Sequence, residues 1–158
     1  MTQDEIITFT GGMDGVLTVR PVPGDGSPDA AQGDTYFYYA PDGAVPATAQ
    51  PFATIVTKDL PGDATSHLDR PGAYRVNVAA GKEEFTRWTG RAPRDPAPAG
   101  AGPDADDTVT AHPVYGAAGW LAVVNPGPRT RTATRELLTA AHRLARARHE
   151  RRAGATGS

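Results

Sequence analysis

Two stretches decide how this chain folds: PFATIVTKD at residues 51–59 and LDRPGAYRVNV at residues 68–78. Both are dense in β-branched and aromatic residues, which fit a pleated, half-buried backbone. A polar segment separates them, and Pro71 with Gly72 makes a turn dipeptide ahead of the second run. The pattern predicts strands over 52–57 and 73–79. Alternation along the second strand puts Tyr74, Val76 and Val78 on one face and Arg75 and Asn77 on the other. The first face suits a core beneath helices. The second sets a guanidinium beside an amide, a pair able to hold a carboxylate or phosphate through parallel hydrogen bonds. The plainer alternatives are an exposed sheet face, or Arg75 paired with Asp59 or Asp69.

Before this block, Thr2 and Glu5 form a capping box, and Ile6, Ile7 and Phe9 supply an apolar stripe. A helix is expected from Gln3 to Thr10, stopped by Gly11 and Gly12. Short strands are expected at 16–19 and, from the aromatic run TYFYY, at 35–39. One face of that aromatic strand goes to the core. The other leaves Tyr36 and Tyr38, or Phe37 and Tyr39, for a ligand or partner, unless the strand is buried on both faces.

After the block, KEEFTRW at 82–88 reads as a short helix and residues 120–124 as a last strand. Residues 132–151 read as the longest helix, with Leu137, Leu138, Ala141, Leu144, Ala145 and Arg148 at core spacing. Most strands follow one another without a helical crossover. The expected class is therefore α+β: a mostly antiparallel sheet packed by N-terminal and C-terminal helices. One domain spans 2–152. Residues 91–107, rich in Pro, Ala, Gly and Asp, are expected to form a mobile insertion, and 153–158 a disordered tail.

The chain has 158 residues and no cysteine, which excludes disulfides and thiolate metal sites. Its four histidines show no ligand spacing, so no metal is expected, and no phosphate loop or dinucleotide fingerprint suggests a cofactor. No apolar run reaches membrane-spanning length, and the cytoplasm is the expected compartment. Charge is uneven: residues 129–152 carry +6, with eight arginines, and the rest of the chain carries −8. Those arginines lack the aromatics that stack on bases, so a solvated helix is expected there rather than a nucleic-acid tail.

Several ordered blocks resemble an actinobacterial family, domain-of-unknown-function family 6194. They are residues 51–59, residues 68–72 with Arg75 and Asn77, HPVY at 112–115, and the tract from Gly119 and Trp120 through Asn125 and Pro126. The resemblance covers residues 2–148 and implies no activity. More distantly, the strand and long helix of 112–144 resemble the MmcQ/YjbR group. That likeness implies a frataxin-like layer architecture and a setting in secondary metabolism. The non-basic body and the insertion at 91–107 depart from that group.

The candidate ligand-binding residues are Lys58, Arg75, Asn77, Tyr115 and Trp120. Lys58 sits where a strand leaves the sheet, although a surface ion pair with Asp59 would also account for it. His112, close in sequence to Tyr115 and Trp120, is the candidate acid–base residue. It also fits as a packed histidine at a strand entrance. Three functions remain open. The first is binding of an apolar or anionic small molecule. The second is a cofactor-independent tailoring enzyme using His112. The third is a protein or nucleic-acid interaction module. The expected partners are a small-molecule ligand, with room for a homodimer, and neither a membrane nor a sequence-specific nucleic acid.

Overall fold

The computed structural model describes residues 1–96, 102 and 104–156. Thr2 caps helix α1 (Gln3–Gly11) by accepting from the Glu5 N–H at 3.1 Å, the first half of a capping box. The chain then lays down β1 (Val16–Val19), β2 (Thr35–Tyr39), β3 (Ala53–Val56) and β4 (Arg75–Ala79). Helix α2 (Gly81–Thr89), β5 (Val109–Ala111), β6 (Trp120–Val124) and α3 (Arg131–Thr156) follow. The six strands form one sheet in the order β1-β2-β3-β4-β6-β5, and every neighbouring pair is antiparallel. The protein is thus an α+β fold with helices at both ends of the chain.

Register divides the sheet into two faces. Phe37, Ala53, Ile55, Val76, Val78, Leu121 and Val123 share the helix-covered face and are fully buried. Ile6 of α1, Phe85 of α2, and Leu137, Leu138 and Ala141 of α3 close over them. Arg148, expected to belong to this stripe, is exposed instead, because α3 runs on past the buried part of its face. That helix continues to Thr156, where the expectation was an end near 151 and a disordered tail from 153.

The opposite face carries Tyr36, Thr54, Val56, Arg75, Asn77 and Trp120. It is not left open to solvent. The connection between β3 and β4 and the turn between β5 and β6 both lie against it, and Arg75 is only 1% exposed.

β5 was not expected. It lies beside β6 and is anchored by what precedes it. Asp107 sits at φ +51°, and its carboxylate accepts from the N–H groups of Gly127, Arg129 and Thr130 and from the Thr130 hydroxyl. These donors lead into the start of α3, so Asp107 ties the late insertion to the longest helix. Burial works against the charge on this carboxyl. The four hydrogen bonds outweigh it and hold the group at about 2. The mobile insertion expected at 91–107 includes residues 97–101 and 103, which lie outside the described residues. On its near side, Asp95 folds back on the Ala92 N–H, and the Arg91 guanidinium stacks over Phe85.

Candidate functional site

Arg75 is the organising residue of the second sheet face. Its backbone position comes from strand alternation, and its side chain is held on three sides. Nε donates to Asn77 Oδ1 at 2.7 Å. Nη1 donates to Asp63 Oδ1 and to Ser66 Oγ, both at 2.9 Å. Nη2 donates to Asp63 Oδ2 at 2.6 Å, completing a bidentate pair. Asn77 in turn donates to Thr54 Oγ1 at 3.0 Å across the β3–β4 pairing, which fixes its amide orientation. Asp63 is thus the partner of Arg75, and neither Asp59 nor Asp69 is. Those two carboxylates tie the ends of the connecting loop together. Asp59 accepts from the Leu68 N–H at 2.8 Å, and Asp69 accepts from the Asp59 N–H at 3.1 Å.

One N–H of Arg75 is left. It belongs to Nη2, which stands 3.3 Å from His112 Nε2. The tautomer of His112 decides what that contact is. Its Nδ1 accepts from two backbone N–H groups, Val114 and Tyr115, both at 3.0 Å. Nδ1 therefore carries no proton, and the neutral ring bears its hydrogen on Nε2. Two donors, Nη2–H and Nε2–H, face one another with no acceptor between them. Burial disfavours the imidazolium, the Arg75 charge disfavours it further, and the Asp63 carboxylate only partly offsets them. The His112 pKa falls to about 4, so the ring is neutral near pH 7.

Arg75 and His112 both line a cavity of about 640 Å³ on this face. Asn77 and Thr54 form its floor with Arg75 and His112, and Tyr36, Val56, Val114, Tyr115 and Trp120 supply apolar wall. The ring centroid of His112 lies 5.0 Å from that of Tyr115 and 6.3 Å from that of Trp120. Tyr115 stands at the rim, 58% exposed. Burial and the neighbouring Asp34 charge raise the Tyr36 phenol above its usual range, so it stays protonated as a donor.

The structure thus brings Arg75, Asn77, His112, Tyr115 and Trp120 around one cavity and leaves Lys58 outside its lining. Lys58 Nζ donates to the Gln32 carbonyl at 2.7 Å and pairs with Asp34 at 3.2 Å, not with Asp59. Asp34 itself borders the cavity. Sequence reasoning missed Asp63 and Ser66, which lie in an irregular loop. Thr54 was findable, because an antiparallel partner of Asn77 must share its face.

Among the described residues no three of His, Asp and Glu group closely enough to hold a metal ion, and no helix is long and apolar enough to cross a membrane. No curated protein and no solved structure matches this chain. The model of a family of unknown function, DUF6194, matches residues 1–154, almost the full length, and the chain belongs to that family.

Proposed function

We propose that the protein binds a small molecule in the cavity on the sheet face opposite the helices. One observation carries the reading: the 3.3 Å approach of Arg75 Nη2 to His112 Nε2, where the second Nη2 hydrogen and the Nε2 hydrogen have no acceptor between them. Buried donors are ordinarily satisfied, and leaving one unmade costs about 1–3 kcal/mol. A ligand oxygen reaching both would satisfy them together. The surrounding aromatic and aliphatic wall supplies burial for the rest of such a molecule, and a cavity of about 640 Å³ is of the size that holds one.

A second reading is catalysis at the same place, and the capping of His112 Nδ1 narrows its form. With that lone pair taken by two backbone N–H groups, His112 serves as a neutral hydrogen-bond donor rather than as the general base. Two donors aimed at a bound carbonyl oxygen would stabilise charge developing on it. A setting in actinobacterial secondary metabolism rests on the resemblance of the sequence blocks alone.

The test uses fluorescence. The chain has two tryptophans, and Trp88→Phe leaves Trp120, which lines the cavity, as the sole reporter. Titration of that variant with a library of aromatic carbonyl compounds and acids should shift or quench its emission saturably for some members. No saturable response across the library would refute the reading.

A further inference from the structure

Resting on that binding reading, we infer that the ligand presents an uncharged acceptor, the oxygen of a ketone, amide or ester, to Arg75 and His112, on an aromatic or polycyclic body. A carboxylate or phosphate is disfavoured.

Charge balance around the cavity is the reason. The guanidinium of Arg75 is the obvious lure for an anion, but Asp63 already engages it through both oxygens. The other cation nearby, Lys58, is matched by Asp34 and turned away from the lining. His112 adds no charge. Protonating it would put an Nδ1–H against the N–H groups of Val114 and Tyr115 and an imidazolium beside the guanidinium. The lining carries Asp34, Asp63 and Arg75, a sum of −1 that Lys58 from outside it brings to neutral, and it offers two spare N–H groups.

An anionic oxygen at that point would share Nη2 with Asp63 Oδ2, so two carboxylate oxygens would hang on one nitrogen with no cation left over. A buried charge without a counter-charge is strongly disfavoured. A neutral carbonyl oxygen has two lone pairs and makes no such demand. It takes one hydrogen from Arg75 and one from His112. The rest of the wall agrees: Tyr36, Tyr115 and Trp120 offer ring faces, and Val56, Leu60 and Val114 offer aliphatic surface.

The experiment uses matched probes on the full chain at pH 7.5: 2-acetonaphthone, 2-naphthamide, 2-naphthoate and 2-naphthyl phosphate. Affinities come from Trp120 emission in the Trp88→Phe variant. Side-chain ¹⁵N resonances of Arg75 and His112 report where each probe binds. The ketone and the amide should bind at least tenfold more tightly than either anion and should shift both side-chain signals. Tighter binding of naphthoate or naphthyl phosphate, with the same side chains shifted, overturns the neutral-acceptor inference and leaves the cavity as the binding site. Saturable binding that leaves Arg75 and His112 unshifted overturns the inference by removing the donor pair from recognition. No binding by any probe overturns it together with the binding reading. His112→Phe, which removes the Nε2–H but keeps a ring, should lose most of the ketone's advantage over the anions. A retained advantage counts against the inference.

Discussion

Asp63 grips Arg75 with both carboxylate oxygens, at 2.9 and 2.6 Å, from a loop that holds no helix or strand, only an isolated bridge between Leu60 and Asp63. The pair fastens that loop to the centre of the sheet. It also sets which guanidinium hydrogen is left for the cavity. Asp63→Ala would leave a guanidinium that is 1% exposed without its counter-charge. We expect a loss of about 3 kcal/mol in urea unfolding, toward the low end for an orphaned buried charge because Asp63 is itself partly exposed. The double variant Asp63→Leu with Arg75→Met should recover part of that loss, since it leaves no buried charge unpaired, although Asn77 Oδ1 and Ser66 Oγ lose the donor that Arg75 gave them. A single variant as stable as the parent would show that the pair does not hold the loop.

The acid limb of the stability curve should carry the signature of His112. Its folded pKa of about 4 lies below the usual histidine value of 6.5, so the unfolded chain takes up a proton that the fold refuses. The contribution is fully present above pH 6.5 and is lost progressively as pH falls toward 4. Over that window it amounts to roughly 3 kcal/mol by linkage. The groups facing the ring are Arg75, Asp63 and Tyr115, and only the first two carry charge near pH 7. Urea unfolding at pH 7 and pH 4.5 checks this. His112→Gln should flatten the difference between the two, and an unchanged slope in that variant would assign the pH dependence elsewhere.

Below pH 4 a different carboxylate takes over. Asp107 is held at about 2 by the donors at the start of α3, so its stabilisation is present above its usual value of 3.8 and is lost between there and 2. Asp63 is also lowered, by its hydrogen bonds and charge contact with Arg75, and acts in the same direction. Asp107→Ala removes four hydrogen bonds and places a β-carbon-only side chain at φ +51°. We expect about 2 kcal/mol of destabilisation, the upper range for losing a helix cap. Amide exchange should quicken first at residues 127–134. Exchange that stays slow there would mean that α3 holds its first turn without Asp107.

The main lines of the fold were legible because they rest on short-range patterns. The strands at 16–19, 35–39 and 120–124 match their expected bounds, and the capping box placed α1. Alternation alone put Arg75 and Asn77 on one face. The remainder depends on contacts between segments distant in sequence. Asp63 and Ser66 reach Arg75 from a loop where nothing periodic distinguishes them from Asp59 or Asp69. β5 is three residues long and follows a segment rich in Pro and Asp, so it has too few residues to show a period. Lys58 stands next to β3 as expected, yet Asp34, from the start of β2, claims it.

Tyr115 offers a probe of the cavity that leaves the fold alone. It is 58% exposed and its ring packs on His112 at the rim. Tyr115→Ala should leave urea unfolding within about 0.5 kcal/mol of the parent, as for most surface substitutions. The same change should weaken any aromatic ligand of the cavity roughly threefold to tenfold, by about 0.5–1.5 kcal/mol of lost ring contact. Unchanged affinity would move the ligand away from the 112–115 turn.

The arginine-rich α3 should not make this a DNA-binding protein. Its cations are dispersed and partly matched: Arg146 pairs with Glu150 at 3.0 Å and Asp14 at 3.7 Å, and Arg131 lies 3.5 Å from Glu5. The buried stripe of Leu137, Leu138 and Ala141 turns one side of the helix into the core, so that side is closed to a groove. Residues outside 129–152 carry −8, which repels phosphate most strongly at low salt, where DNA binding is otherwise tightest. A groove-reading helix needs a coherent basic face beside a body that does not repel the duplex. Fluorescence anisotropy with labelled duplexes should therefore show only weak, salt-sensitive association, in the non-specific range of about 10⁻⁴–10⁻⁶ M and indifferent to sequence. Sub-micromolar binding at about 0.15 M salt that discriminates between duplexes would reverse this and make α3, rather than the Arg75–His112 cavity, the first place to look for function.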